Sequence, residues 1–203
     1  MKRILLTGFE AFGNQKINPS QLLVEQLAKD IPSLTTRILT VQFTKAVSEV
    51  MELIDAQGPF DVILMLGQAG GRDKICLERY AHNWIENTHA DAKNPAIPAK
   101  IIDEKLPVAL MTTLPIEELR DHVNAKFADA PVAVSLSAGK YVCNHLYFNI
   151  LNAQLNAGNS VLFVHLPYIP EQAQSSLVSN MEFQIQYAVL RELLAVLEKQ
   201  HLS

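Results

Sequence analysis

Three short, almost unbroken apolar runs, Ile4 to Leu6, Val62 to Leu66 and Val161 to Leu166, constrain this chain more than any other feature. Runs of that length and β-branched content fit strands buried on both faces, because a strand with one wet face alternates apolar and polar residues instead. Further strand candidates are Arg37 to Val41, Val108 to Met111 and Val132 to Ser135. Between the runs lie helical patterns. Val47, Val50, Met51 and Ile54 follow the i, i+3, i+4, i+7 spacing, as do Leu190, Leu193, Leu194 and Leu197, which predicts helix faces turned to a core. Asn18-Pro19-Ser20 reads as a helix start, with Asn18 as cap and Pro19 in the first turn, followed by a buried face of Leu23, Val24, Leu27 and Ala28. Strands alternating with helices predict an α/β fold, a largely parallel sheet covered by helices on both faces. Such folds carry their sites beyond the carboxyl ends of the strands. Trp84 to Leu106 breaks the rhythm with Pro95, Pro98 and no clear period, and is expected to be a long surface loop of the kind that serves as a lid.

With 203 residues, 49% hydrophobic and 19% charged, the chain holds enough apolar material for one sizeable core, so a single domain over 1–203 is expected. The net charge is -4 and no Lys or Arg run gathers, which argues against nucleic acid and acidic membranes as partners. The opening MKRILLTGFE has an apolar stretch too short for a signal-peptide core, and no run approaches the roughly 20 residues that span a bilayer. A cytoplasmic location is the expectation. Cys76 and Cys143 are then expected as free thiols, and two cysteines without zinc-ligand spacing predict no metal.

Ser137 to Asn144 follows a strand candidate and leads into a helix that would bury Val142, Leu146, Ile150 and Ala153. Cys143 thus falls in a first helical turn, where unpaired backbone donors and the helix dipole would stabilise a thiolate and hold an oxyanion. A small buried thiol is the plain alternative. His165 ends the run Val161 to Val164, at the rim where reacting groups converge; a core histidine satisfied by backbone would look the same. His82, His89, His122, His145 and His201 fall in predicted loops or helices and read as ordinary surface residues. Gly67 to Arg72 permits a sharp turn but lacks the spacing of a phosphate loop. Glu78 either orients an imidazole or pairs with Arg79. Phe9 and Phe12, on a glycine-flanked loop, either clasp a flat neutral ring or cover the sheet end.

Taken in order, four blocks closely resemble the pyroglutamyl peptidase I (pyrrolidone-carboxylate peptidase) family of cysteine peptidases: TGFEAFGNQKINPS from Thr7, GQAGGRDKICLERYAHN from Gly67, SAGKYVCNHLYF from Ser137 and FVHLPYIPEQ from Phe163. The resemblance implies an α/β/α sandwich, removal of N-terminal pyroglutamate from peptides without a cofactor, and assembly into homo-oligomers, commonly tetramers. It places a catalytic triad on Glu78, Cys143 and His165, and a substrate pocket on Phe9, Phe12, Asn18, Gln68, Tyr141 and Val142. Where the family continues D-A-R-I-P-D-N, this chain reads Glu86-Asn87-Thr88-His89-Ala90-Asp91-Ala92, so the family arginine becomes Thr88. That change is expected to bear on rate, substrate preference and subunit contacts. The pocket reading also assumes that Glu10 and Glu86 are turned away from the ligand. Two other functions fit the same residues: Cys-His-Glu amide hydrolysis or amidotransfer on a different small substrate, and non-catalytic binding of a cyclic ligand.

Overall fold

The computed structural model describes residues 2–88, 90, 93–127, 131–154, 157–173, 175 and 177–199. A six-stranded sheet runs through the centre in the order β2-β1-β3-β10-β4-β9. It is built from β1 (Ile4–Phe9), β2 (Thr35–Leu39), β3 (Val62–Gln68), β4 (Ile75–Glu78), β9 (Val132–Ser135) and β10 (Ser160–Leu166). The first four strands of that order are parallel; β4 runs antiparallel to β10 and carries β9 with it. The three apolar runs of the sequence are the three adjacent central strands β1, β3 and β10, and their side chains are buried on both faces. Full burial of a Val, Leu or Ile contributes about 1.5–3 kcal/mol, so these strands anchor the fold.

Side-chain alternation divides the core in two. Leu6, Leu64, Leu66, Leu77 and Val164 face α1 (Pro19–Asp30), α3 (Ile116–Lys126) and α5 (Phe183–Lys199). Leu5, Ile63, Met65, Val161 and Phe163 face α2 (Phe43–Gln57) and α4 (Val142–Gln154). The result is the α/β/α sandwich. Asn18 caps α1 as expected, its side chain accepting from Ser20 N, and α1 starts so close to β1 that a Cβ on Gly8 would lie 2.5 Å from Ser20 O. Among the described residues no helix is long and apolar enough to cross a membrane.

Several local expectations change. Val108 to Met111 is a strand over β8 (Ala109–Met111), but it pairs with β5 (Tyr80–His82) in a separate two-stranded sheet. The 84–106 segment is not a structureless loop: β6 (Ile85–Asn87) and β7 (Ile97–Lys100) form an antiparallel pair. Immediately before it, buried Asn83 accepts from the amides of Ile102 and Asp103 within the segment, supplying partners that neighbouring strands would otherwise provide. In α2 the buried line is Phe43, Ala46, Val50 and Leu53, with Val47, Met51 and Ile54 only half-buried beside it. Ala28 is half-buried and Ala153 exposed, because their helices are rolled slightly from the predicted face.

Candidate active site

The sheet brings His165, Glu78 and Cys143 to one face. In the parallel pair β3·β10, His165 lies beside Gly67. Gly67 must be glycine: a Cβ there would sit 2.9 Å from the Phe163 ring and 3.1 Å from Cys143 Sγ. The nucleophile candidate therefore rests over the backbone next to His165. On the other side, the antiparallel register His165↔Cys76 and Val164↔Leu77 carries Glu78 one step deeper than His165 and onto the same face. His165 Nδ1 lies 2.8 Å from Glu78 Oε1, with both residues buried. Since a carboxylate only accepts, the proton sits on Nδ1 and leaves Nε2 as the basic nitrogen. The Phe163 ring packs on the imidazole at 4.8 Å.

Arg72 completes this charge system. Its Nη1 donates to the same Glu78 Oε1 at 2.8 Å and its Nη2 donates to Ser137 O at 3.2 Å. One guanidinium thus compensates a fully buried carboxylate and ties it to the loop that leads to Cys143. Sequence reasoning passed over Arg72, weighing that loop only as a phosphate site. Arg79, the alternative partner for Glu78, pairs with Glu117 instead. Tyr147 OH, also unforeseen, donates to Glu78 O at 2.9 Å.

Cys143 is the second residue of α4. The first bond of that helix runs from His145 N to Tyr141 O, so the amides of Val142, Cys143 and Asn144 have no partner within the helix. Asn144 locks the turn from below: it accepts from His82 N at 2.8 Å and donates to His82 O at 2.8 Å and Trp84 O at 2.9 Å. The thiol departs from expectation. Burial, reinforced by the Glu78 charge, pushes it up to about 12, against the smaller opposing pull of Arg72. Burial also holds the His165 imidazole below its ordinary value, although Glu78 favours the charged form. Both shifts favour the neutral forms, thiol and imidazole, with desolvation the largest cause of each.

The predicted pocket residues gather at the same rim but not in equal roles. Phe9 is buried at the end of β1, Phe12 packs half-buried against the α2/α4 core, and Val142 is fully buried. Tyr141 meets Phe43 edge-on at 5.1 Å and accepts from Asn94 Nδ2 at 2.9 Å. Asn18 uses its amide internally: Oδ1 accepts from Ser20 and Nδ2 donates to Glu10 O, which ties down the loop that carries Phe12. Gln68 ends β3, its Oε1 accepting from Gln172 Nε2 at 2.9 Å. Glu10 pairs with Lys93 and Glu86 with Lys140. Thr88 is exposed; His89, Asp91, Ala92 and His201 lie outside the described residues. His82 lies on a strand rather than a loop, and His145 is half-buried, its Nδ1 3.1 Å from Phe43 O.

The chain matches the pyroglutamyl peptidase family model over residues 2–198. It is 38% identical over 178 residues to a pyrrolidone-carboxylate peptidase of Coprothermobacter proteolyticus, covering 85% of this chain and 84% of that one. The crystal structure of pyroglutamyl peptidase I from Bacillus amyloliquefaciens superposes with a TM-score of 0.89 at 31% identity, over 100% of this chain and 97% of the other. A pyrrolidone carboxyl peptidase from Fervidobacterium islandicum gives a TM-score of 0.89 at 35% identity, over 98% and 99%. Sequence, fold and the convergence of the four blocks on one rim agree: the chain belongs to the pyroglutamyl peptidase family.

Proposed function

We propose that this chain is a cysteine peptidase that removes N-terminal pyroglutamyl residues from peptides, with Cys143 as nucleophile, His165 as base and Glu78 as the group that orients it. One observation carries the reading: His165, bonded through Nδ1 to buried Glu78, lies beside the glycine over which Cys143 Sγ rests. Because thiol and imidazole are both neutral at rest, the thiol proton passes to His165 Nε2 as sulfur attacks the pyroglutamyl carbonyl carbon. The carbonyl oxygen takes the negative charge and meets the free amides at the start of α4. The C–N bond then breaks, and the leaving amine takes its proton from His165. Water, deprotonated by His165, attacks the thioester; the C–S bond breaks, pyroglutamic acid departs and the thiol is restored. Glu78 stabilises the imidazolium that forms twice in the cycle, and Arg72 keeps Glu78 compensated between those moments.

Selectivity follows from the same rim. A pyroglutamyl residue presents a neutral lactam, which suits Phe9 and Phe12, whereas a free N-terminal ammonium would lose its water and find Glu10 and Glu86 already paired with lysines. The chain is read as one catalytic domain over 1–203 acting in the cytoplasm, where its two free cysteines would stay reduced. A homo-oligomer, with a tetramer as the expected form, is supported by exposed Trp84, Ile101, Val108, Met111 and Leu136; Trp84, Ile101 and Val108 line a groove of about 840 Å³.

Release of amine from pyroglutamyl, prolyl and glutaminyl amides, measured in parallel on reduced protein, tests the activity. Cleavage of the pyroglutamyl amide far ahead of the other two is the expected result. Faster turnover of prolyl or glutaminyl amide would assign a different amide substrate, and binding without acyl-enzyme formation would make the pocket a receptor.

A further inference from the structure

Glu78 Oε1 takes two hydrogen bonds of equal length, from His165 Nδ1 at 2.8 Å and from Arg72 Nη1 at 2.8 Å. The other oxygen, Oε2, is buried and has no hydrogen-bond partner among the described residues. A guanidinium and an imidazole therefore share the charge of a single oxygen. Arg72 reaches it from the turn after β3, where Arg72 N donates to Ala69 O at 3.4 Å and Gly71 takes a left-handed backbone (φ +84°) open to glycine. The other titratable groups around His165 are Cys76 on β4 and Cys143 and Tyr147 on α4. Burial raises all three, so through the acid and neutral range they stay uncharged. Glu78 and Arg72 are left as the charges that act on the imidazole, and they oppose each other: Glu78 favours imidazolium, Arg72 disfavours it. At Cys143 they oppose each other again, Glu78 raising the thiol and Arg72 lowering it.

We propose that Arg72 is a positioning residue that limits how strongly Glu78 holds the His165 imidazolium, so that one imidazole can both take the Cys143 proton and give it up to the leaving amine. This rests on the proposed pyroglutamyl-peptidase reading. A base that attracts protons too strongly is already charged when the thiol must lose its own, and once charged it is a weak acid toward the amine. An unshared buried carboxylate at 2.8 Å would push His165 that way. Sharing Oε1 with a permanent cation withdraws part of the attraction and leaves in place the bond that orients the ring. Nη2, donating to Ser137 O at 3.2 Å, ties the guanidinium to the loop before Cys143, so one group restrains the base and braces the approach to the nucleophile.

The test is the pH dependence of kcat/KM on a pyroglutamyl amide, together with NMR titration of the His165 imidazole, in Arg72→Gln, Arg72→Lys, Glu78→Gln and the Arg72→Gln/Glu78→Gln double variant. In Arg72→Gln the acid limb and the imidazole titration should both move to higher pH, so that the loss of kcat/KM is about tenfold larger at pH 6 than at pH 8. Lysine keeps the charge but not the planar fork, so its acid limb should stay near that of the wild type while kcat falls. On the Glu78→Gln background no carboxylate is left to restrain, and Arg72→Gln should move the titration little. The double variant buries no unpaired charge, so it carries the test even where Arg72→Gln alone fails to fold. A loss in Arg72→Gln that is equal at every pH overturns the inference, since a mere brace for the loop behaves in that way. So does an imidazole that titrates well above that of Glu78→Gln in the double variant, because Arg72 would then act on His165 without Glu78. An inactive wild type would overturn the underlying functional reading, and the NMR titrations would still decide the role of Arg72.

Discussion

Cys143 and Cys76 flank the same histidine and differ in almost everything that matters for chemistry. Cys76 is the cross-strand neighbour of His165 on β4, and Cys143 rests over Gly67, the neighbour of His165 on β3. Burial raises both thiols above the ordinary range. The direction of that shift therefore does not separate them. What separates them is the backbone. Cys76 lies inside a strand paired on both sides, so its peptide groups belong to the sheet, whereas Cys143 opens a helix whose first amides have no helical acceptor. A reactive cysteine here is one with donors ready for an oxyanion and a basic nitrogen close by, not one stored as a thiolate.

The comparison breaks first at the nucleophile. Cys143→Ser should lower kcat/KM for a pyroglutamyl amide by about 10³-fold or more while leaving the thermal midpoint near that of the wild type. Gly67→Ala comes next, because its Cβ would enter the space held by Phe163 and Cys143 Sγ. A loss of about 10²-fold in kcat, with the fold retained by circular dichroism, is the expected result.

The pH dependence sharpens the comparison further. In the proposed mechanism His165 works as the neutral base, and burial holds its pKa below the ordinary 6.5, so the acid limb of kcat/KM should lie below pH 6.5. The stability sign agrees. An unfolded histidine takes a proton more readily than this buried one, so the His165 contribution is lost as pH falls from about 6.5 downward. Alkylation of Cys143 by iodoacetamide should keep rising through pH 9 in step with a raised thiol; a plateau at neutral pH would reveal a stored thiolate. The smallest effect belongs to Cys76→Ser, which should leave kcat/KM within about twofold, with any cost confined to stability.

Legibility in the sequence followed the same physical divide. Strands buried on both faces announce themselves through unbroken apolar runs, and β1, β3 and β10 were readable for that reason. The capped start of α1 was readable because Asn-Pro-Ser satisfies the first donors locally. The 84–106 segment was not, since its two short strands are held by side chains such as Asn83 and Asn87 that reach back to backbone groups. Sequence order cannot show that a loop amide will replace a sheet neighbour. At the site, the resemblance marked Cys143, His165 and Glu78; the sheet register brings Glu78 to His165, and the start of α4 sets Cys143 over Gly67. Arg72 went unremarked because it reaches the site through a second side chain, Glu78, a relation set by three-dimensional packing. The raised thiol was not foreseen for a related reason: a helix start is visible in sequence, but the burial that desolvates the sulfur is not.

The central claim is that the acyl group forms on Cys143 and on no other residue. Acid quenching during turnover of a pyroglutamyl amide, followed by peptide mapping by mass spectrometry, tests it directly. A pyroglutamyl thioester on the peptide that contains Cys143, with the Cys76 peptide unmodified, is the expected result. A thioester on Cys76, or rapid turnover with Cys143 unmodified throughout, would contradict it.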